Sequence, residues 1–275
     1  MTNVDLHLHS NHSDGVLSPA ELVDRVADAG VELMALTDHD TTAGLEAARS
    51  QCLQRGLRML DGIEMSSTWR AQTIHVIGLG IDARNAALVE GIDRLQVLRR
   101  SRLAALAERL ERKAIPGLTI LAQLEAEHSI VTRTHLARAL ISGQHVRSMA
   151  EAFKRYLGRG GAAHVAANYP DVSEVVPWIR AAGGVAVLAH PMRYMLSAGA
   201  RRQLVTVFRD SGGTAIEVVC GRAVGHIAPL AALATRFGLA GSIGSDFHDP
   251  QIPWNPPGRL AKLPAGIEPV WQRLA

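Results

Sequence analysis

The sequence predicts an α/β protein: a distorted β/α barrel interrupted by an inserted helical subdomain. Three observations lead there. Up to about Asp82, short apolar runs alternate with helical stretches, and the same alternation returns after Asp171. Between them the strand signal disappears. The polar residues that interrupt the apolar pattern fall at the carboxyl ends of the expected strands, which in a barrel converge on one mouth. A doubly wound open sheet is the other fold such alternation allows, but it would gather fewer of those ends.

Taken in order, NVDLHLH is the first strand. SPAELVDRVADAG follows as a helix, with Ser18 at the cap, Pro19 in the first turn and Glu21 three residues after the Ser, and Gly30 closes it. LMALT and LRMLDGIEMS are strands on either side of the helix TTAGLEAARSQCLQRG, and TIHVIGLGI is a further strand. LVEGIDRLQVLRRSRLAALAERLERK, LTILAQLEAE, THLARALIS and MAEAFKRYL then read as successive helices, so 86–164 is expected as the insertion and 1–85 with 165–275 as the barrel. The alternation resumes with the helix VSEVVPWIRAAG, the strand GVAVLAH, a helix near Ala200 to Arg209, the strand TAIEVVCG, a helix near Ile227 to Phe237, and LAGSIGSDFH. PQIPWNPPG is a proline-rich loop.

Composition narrows the function classes. The chain has 275 residues, 47% of them hydrophobic, enough for a substantial core. A formal charge of +3, from 29 basic and 26 acidic residues, is too balanced for electrostatic binding of long nucleic acid. Only Lys113, Lys154 and Lys262 are lysine; the rest of the basic set is arginine, the better bidentate clamp for phosphate. Cys52 and Cys220 lie far apart in apolar surroundings and read as buried free thiols, which fits a reducing compartment. With no signal-like start and no apolar run near the ~18 residues a bilayer requires, a cytoplasmic location is expected.

The chemistry resides in histidines and carboxylates. His7 and His9 are two apart in a strand and point to one face. Asp14 follows in the next loop, and Asp38, His39 and Asp40 end the LMALT strand. Glu64 ends another strand, His75 sits inside one, His190 stands at a strand tip before Pro191, and Asp246 and His248 form a second same-face pair. His7, His9, Asp14, His39, Glu64, His75, His190, Asp246 and His248 make nine candidate ligands, against the three or four that one catalytic zinc takes. More than one metal is expected. Imidazole and carboxylate without thiolate suit zinc, manganese or iron; manganese is the ion expected. Glu64 is a reasonable bridge between two ions, and such a pair can activate a water and stabilise both oxygens of an in-line displacement at phosphorus.

At these residues the sequence resembles the PHP family, named for polymerase and histidinol phosphatase domains. HxH followed by SDG, then TDHD, GxE, a strand histidine, HP and a late SDxH carry the likeness, which covers most of the chain outside the insertion. The resemblance is strongest to a stand-alone bacterial branch that removes the 3′-phosphate of nucleoside 3′,5′-bisphosphates, with related members trimming short RNA from the 5′ end. It implies a seven-stranded distorted (β/α)7 TIM-like barrel and a centre of two or three divalent ions. His7, His9, Glu64 and Asp246 would hold one; Glu64, His75 and His190 a second; Asp14, His39 and His248 a third. A metal-bridging hydroxide would attack, with His190, His248 and Asp246 as the catalytic candidates. An Arg-x-His before an insertion helix implies phosphate contact from Arg133, Thr134 and His135, and Arg193 is a further candidate. The expected partner is a small nucleotide such as adenosine 3′,5′-bisphosphate or a short RNA end, with no membrane and no obligate protein partner. The alternatives are a 5′–3′ exoribonuclease, a histidinol phosphatase and a non-catalytic metal-stabilised domain.

The remaining residues have plainer readings. His12 should lie near the centre without binding metal, and His128, His145, His164 and His226 should be surface or capping residues. Glu217 is a possible support for a ligand, and Trp254 packs under its loop or stacks on a base.

Overall fold

The computed structural model describes residues 2–251 and 255–274; Trp254 lies outside them. Seven strands form one sheet in sequence order: β1 Val4–Asp5, β2 Leu33–Leu36, β3 Arg58–Trp69, β4 Gln72–Leu79, β5 Val185–Leu188, β6 Ala215–Cys220 and β7 Ala240–Gly244. The Leu6 amide donates to the Ile243 carbonyl at 2.9 Å. A single bridge pairs Leu8 with Phe247. These contacts join the first strand to the last, so the sheet nearly closes into the expected seven-stranded barrel.

One feature departs from simple β/α alternation. No helix separates β3 from β4; they pair antiparallel across the turn Arg70–Ala71, and β4 pairs antiparallel with β5 as well. A two-residue connection can only reverse the chain, because a parallel neighbour needs a crossover of a dozen or more residues. Both turn residues take left-handed backbone, φ 49° and 59°, as a hairpin matched to strand twist requires. β3 also runs five residues past Glu64 to Trp69. Glu64 is therefore in mid-strand, and His75 comes early in β4 and reaches the mouth from the reversed strand.

Every strand contributes to an apolar plug at the closed end of the barrel, including Leu33, Ile77, Leu79, Val187, Ala215 and Ala240, with Leu60 of β3 packed against it. Helix α1 (Pro19–Asp28) starts as expected: Ser18 Oγ accepts from the Glu21 amide while Glu21 Oε2 accepts from the Ser18 amide. Helix α2 (Leu45–Arg55) ends at Gly56 in left-handed backbone. On the far side, α7 (Val172–Ala181), α8 (Ala198–Asp210) and α9 (Ile227–Phe237) cover β4 to β7.

The intervening segment is helical. Helix α3 (Ala86–Glu111) has 26 residues and so runs ~39 Å. Leu88, Ile92 and Leu95 in its first half join the barrel's core. Leu103, Leu106 and Leu110 in its second half join a separate core with α4 (Gly117–Glu127), α5 (Arg133–Ser142), α6 (Met149–Ala152) and the π-turn that follows. Both cysteines are free; Cys52 is buried as expected, whereas Cys220 is only half-buried. Among the described residues no helix is long and apolar enough to cross a membrane.

Candidate metal centre

At the open end of the barrel the Nε2 atoms of His7 and His9 each lie 3.2 Å from Glu64 Oε2 and 3.2 Å from Asp246 Oδ1. All four side chains are buried. His7 Nε2, His9 Nε2 and Glu64 Oε2 nevertheless have no hydrogen-bond partner among the described residues, which is costly for polar atoms in a dry interior. A tetrahedral ion with ligands at ~2.0–2.1 Å spaces them ~3.3–3.4 Å apart, close to the spacing found here. The donor set fits a divalent cation.

Two further groups adjoin it. Glu64 Oε2 is 3.1 Å from His39 Nδ1, and Glu64 Oε1 is 3.1 Å from His75 Nδ1 and 3.0 Å from His190 Nε2. His39, Glu64 and His75 form one group that could hold an ion, and His9, Asp14, His39 and His248 another. Within the latter, Asp14 Oδ1 is 3.1 Å from His248 Nε2 and 3.9 Å from His39 Nε2. One carboxylate thus touches five imidazoles. His39 falls in both outer groups, and His190 stands against Glu64 without completing a group of its own.

The charges respond to this crowding. Burial pushes the Glu64 carboxyl up, but His7, His39 and His75 outweigh it and hold the group well below the usual range. Burial pulls His9 down, yet the carboxylates of Asp246 and Glu64, each 3.2 Å from its Nε2, carry it to about 10. For His39 burial wins, and its pKa drops to about 3.

Surrounding groups fix the ligands. Glu217 Oε1 lies 3.0 Å from His7 Nδ1, and its Oε2 accepts from the His190 amide at 2.7 Å. Such a carboxylate sets the tautomer and aim of a ligating imidazole. Asp38 accepts from the Ser10 amide and from the Ser10 and Ser13 hydroxyls, which pins the loop between His9 and Asp14. Three non-glycine residues at strand ends, Asp40, His190 and Asp246, take left-handed backbone with φ 51°, 30° and 53°. Such strain of ~1–3 kcal/mol each persists where surrounding structure overdetermines it, typically at functional sites. At Gly244 a Cβ would overlap His7 Cβ, so β7 can approach the first strand this closely only with glycine there.

Two cavities open on the cluster. The smaller, of ≈ 220 Å³, runs under α3 and α5 and is lined by Arg99, Arg102, Arg133 and Tyr169 beside His75 and His190. Arg99 pairs with buried Asp40 and donates to Ser66 Oγ at 2.8 Å. Arg102 donates to the Val165 carbonyl. No carboxylate among the described residues lies within ion-pair distance of Arg133, whose guanidinium sits 5.7 Å from the Phe153 ring. Burial, then the neighbouring Arg102, lower its pKa to about 10. The larger cavity, ≈ 860 Å³, adjoins the cluster as well and shares Thr134, His190, Arg193, Asp246 and His248 with the smaller.

The structure thus brings all nine expected ligands to one mouth and puts Arg133 and Thr134 on its wall. Arg193 lines both cavities and pairs with Asp246. His135 is placed differently: its Nδ1 accepts from the Thr132 amide at 3.1 Å, its ring stacks on His128 at 4.1 Å, and it lines neither cavity. Burial beside His128 lowers its pKa to about 4, so it carries no positive charge at neutral pH. Arg99 and Arg102 were missed from the sequence. Their i, i+3 spacing marks them as neighbours on one helix face, but nothing in it says that the face meets the mouth. Thr132 Oγ1 donates to Asp14 Oδ2 and Arg138 donates to the Asp14 carbonyl, ties from α5 to the metal loop that were also unforeseen.

Comparison with known proteins gives four findings. The family model described as PHP domain matches residues 5–179. The chain is 42% identical to the 5′-3′ exoribonuclease Rnm of Escherichia coli K12, covering 98% of this chain and 92% of that one. It is 37% identical to the 3′,5′-nucleoside bisphosphate phosphatase of Chromobacterium violaceum, covering 100% and 97%. Among solved structures, an amidohydrolase from Chromobacterium violaceum with bound sulfate and no metal superposes with a TM-score of 0.89 at 35% identity, covering 99% of this chain and 96% of the other.

Proposed function

The chain belongs to the PHP family and is a metal-dependent phosphoesterase, and from that premise we propose that it removes the 3′-phosphate of nucleoside 3′,5′-bisphosphates, converting adenosine 3′,5′-bisphosphate to AMP. The observation that carries this reading is Arg133. A half-buried guanidinium with no acid partner among the described residues, flanked by Arg99 and Arg102 and opening on the ligand cluster, is a second anion site beside the first. A substrate with two phosphates satisfies both.

Divalent ions, manganese foremost, held by the three ligand groups would supply an activated water and neutralise charge on the phosphoryl oxygens. The protein's own groups do the rest. Arg133, Arg99 and Arg102 grip the 5′-phosphate, so that binding energy remote from the reacting bond orients the 3′-phosphate over the cluster. Attack by water forms the new P–O bond as the bond to the 3′ oxygen breaks, and His190, which lines both cavities and stands outside the three ligand groups, is placed to carry the proton lost by the water to that oxygen. Glu217 holds His7 in place throughout. We also read residues 86–164 as a helical subdomain that roofs the phosphate pocket, a reading supported by its separate apolar core.

A second reading, 5′–3′ cleavage of short RNA, uses the same two anion sites with the 3′-phosphate esterified to a further nucleotide, and the larger cavity favours it as an additional activity. The test is turnover of adenosine 3′,5′-bisphosphate, adenosine 3′-monophosphate, histidinol phosphate and a 5′-phosphorylated RNA with manganese. The bisphosphate should far outrun the monophosphate. Arg133→Ala should lose most of that preference, ~10–150-fold for a charged hydrogen bond of ~1.5–3 kcal/mol, with metal content unchanged. Equal turnover of both mononucleotides by the native protein would overturn the assignment.

A further inference from the structure

The larger cavity is a groove that starts at the metal cluster and leads away from the arginine pocket. One wall comes from α5 and α6 (Arg138, Ile141, Met149), the other from the link between β6 and α9 (Arg222, His226). Its cations are not equivalent. Arg193 is engaged with Asp246, and Arg138 donates to the Asp14 carbonyl and lies 3.9 Å from Asp249. Arg222 and His226 are exposed and have no side-chain partner among the described residues. Met149 and Met192 supply adaptable apolar surface between these charges.

We propose that this groove holds the RNA chain on the 3′ side of the scissile phosphate, with Arg222 and His226 taking the next phosphodiester. The inference rests on the phosphoesterase reading above and adds to it the path of the strand that keeps the scissile phosphate. Continuity gives the direction: with the 5′-terminal phosphate among Arg99, Arg102 and Arg133 and the scissile phosphate on the ligand cluster, the next nucleotide enters the groove, which shares His190, Asp246 and His248 with the arginine pocket. Size agrees, since ≈ 860 Å³ is far more than a leaving phosphate fills. Single-stranded nucleic acid is bound without sequence preference by cations that track the backbone and by surfaces that accept any base face. Met149 and Met192 suit the second role.

The test compares Arg222→Glu, Arg222→Ala and His226→Gln with the native enzyme on adenosine 3′,5′-bisphosphate and on a 5′-phosphorylated pentanucleotide RNA. The KM for RNA should rise ~10-fold or more in Arg222→Glu, in proportion to one lost charged contact, while that for the bisphosphate stays within about twofold. The salt dependence of the RNA KM should become shallower by about one phosphate contact. An activity-independent arm measures anisotropy of a fluorescent phosphorothioate version of the RNA on metal-free protein, where the same variants should weaken binding to a similar extent. Parallel losses on both substrates would mean that the groove takes the mononucleotide's own base, and no loss on either would mean that it takes nothing; both overturn the proposal. If the native protein cleaves the bisphosphate but neither cleaves nor binds the RNA, the groove assignment alone fails. If it cleaves neither yet still binds the RNA through Arg222, the groove stands and the phosphatase reading fails.

Discussion

Metal binding at the His7–His9 group should release protons, and the number follows from the geometry. In the metal-free protein the His9 pKa is raised to about 10, because the carboxylates of Asp246 and Glu64 beside its Nε2 favour the protonated ring despite burial, and His7 is held well above its ordinary range by Glu64, Asp246 and Glu217 despite burial. At pH 7 at least one of the two rings is an imidazolium. An ion can take Nε2 only as the free base, so binding displaces that proton. One displaced proton makes the apparent Kd fall ~10-fold per pH unit, ~1.4 kcal/mol, or ~100-fold from pH 6 to 8, and two protons would square that factor. The sign for stability follows from the same shift. A folded-state pKa of about 10 against an ordinary 6.5 gives the stripped protein stabilisation that is complete below pH 6.5 and lost as pH rises through about 10. Titration calorimetry of manganese into chelator-stripped protein, in buffers of different ionisation enthalpy, counts the protons. A count of zero with a pH-independent Kd would refute the electrostatic account of the cluster. The melting temperature of stripped protein should fall between pH 7 and 10, while that of metal-loaded protein falls less.

Three other outcomes are expected. Arg99→Ala should destabilise the fold by ~3–5 kcal/mol in denaturant titration, because it strands buried Asp40, and Arg99→Met with Asp40→Asn should recover most of the loss. Glu217→Gln keeps one carbonyl acceptor where two carboxylate oxygens serve His7 and the His190 amide, so metal affinity should drop ~10–100-fold by competition with a chelator while the fold is retained. Asp5, whose carboxyl burial pushes up to about 7, should make the native protein less stable as pH rises from about 4 to 7; Asp5→Asn should flatten that slope in thermal melts, and an unchanged slope would place the effect elsewhere.

The sequence made the barrel and its ligands legible because both are written in local pattern. Strand-end polar residues stand out against apolar runs, and His7/His9 and Asp246/His248 declare a shared face by period alone. The reversal of β4 was not legible, since two apolar strands read alike whichever way they run and the Arg70–Ala71 turn lacks the usual Asn or Gly. Nor was the arginine pocket, because α3 offers Arg94, Arg99, Arg100, Arg102 and Arg109, and only packing selects Arg99 and Arg102. His135 is placed differently from what its string suggests. Its position in an Arg-x-His string suggests a phosphate contact, whereas Thr132 and His128 make it part of a helix cap.

The seam between the first and last strands has a consequence for how the protein is made. Ser245 donates its amide to Asp5 across 240 positions of sequence, and Leu8 meets Phe247 across a similar interval. During synthesis β1 emerges long before its second neighbour exists, and pairing across so long a loop is slow. His7 and His9 therefore wait unpaired while the helical segment, whose contacts are mostly local, can condense first. Asp246 and His248 follow His7 by about 240 positions, so a chain that stops short of β7 lacks a complete centre. The ligand set is therefore completed only when the last strand docks on the first and the barrel shuts.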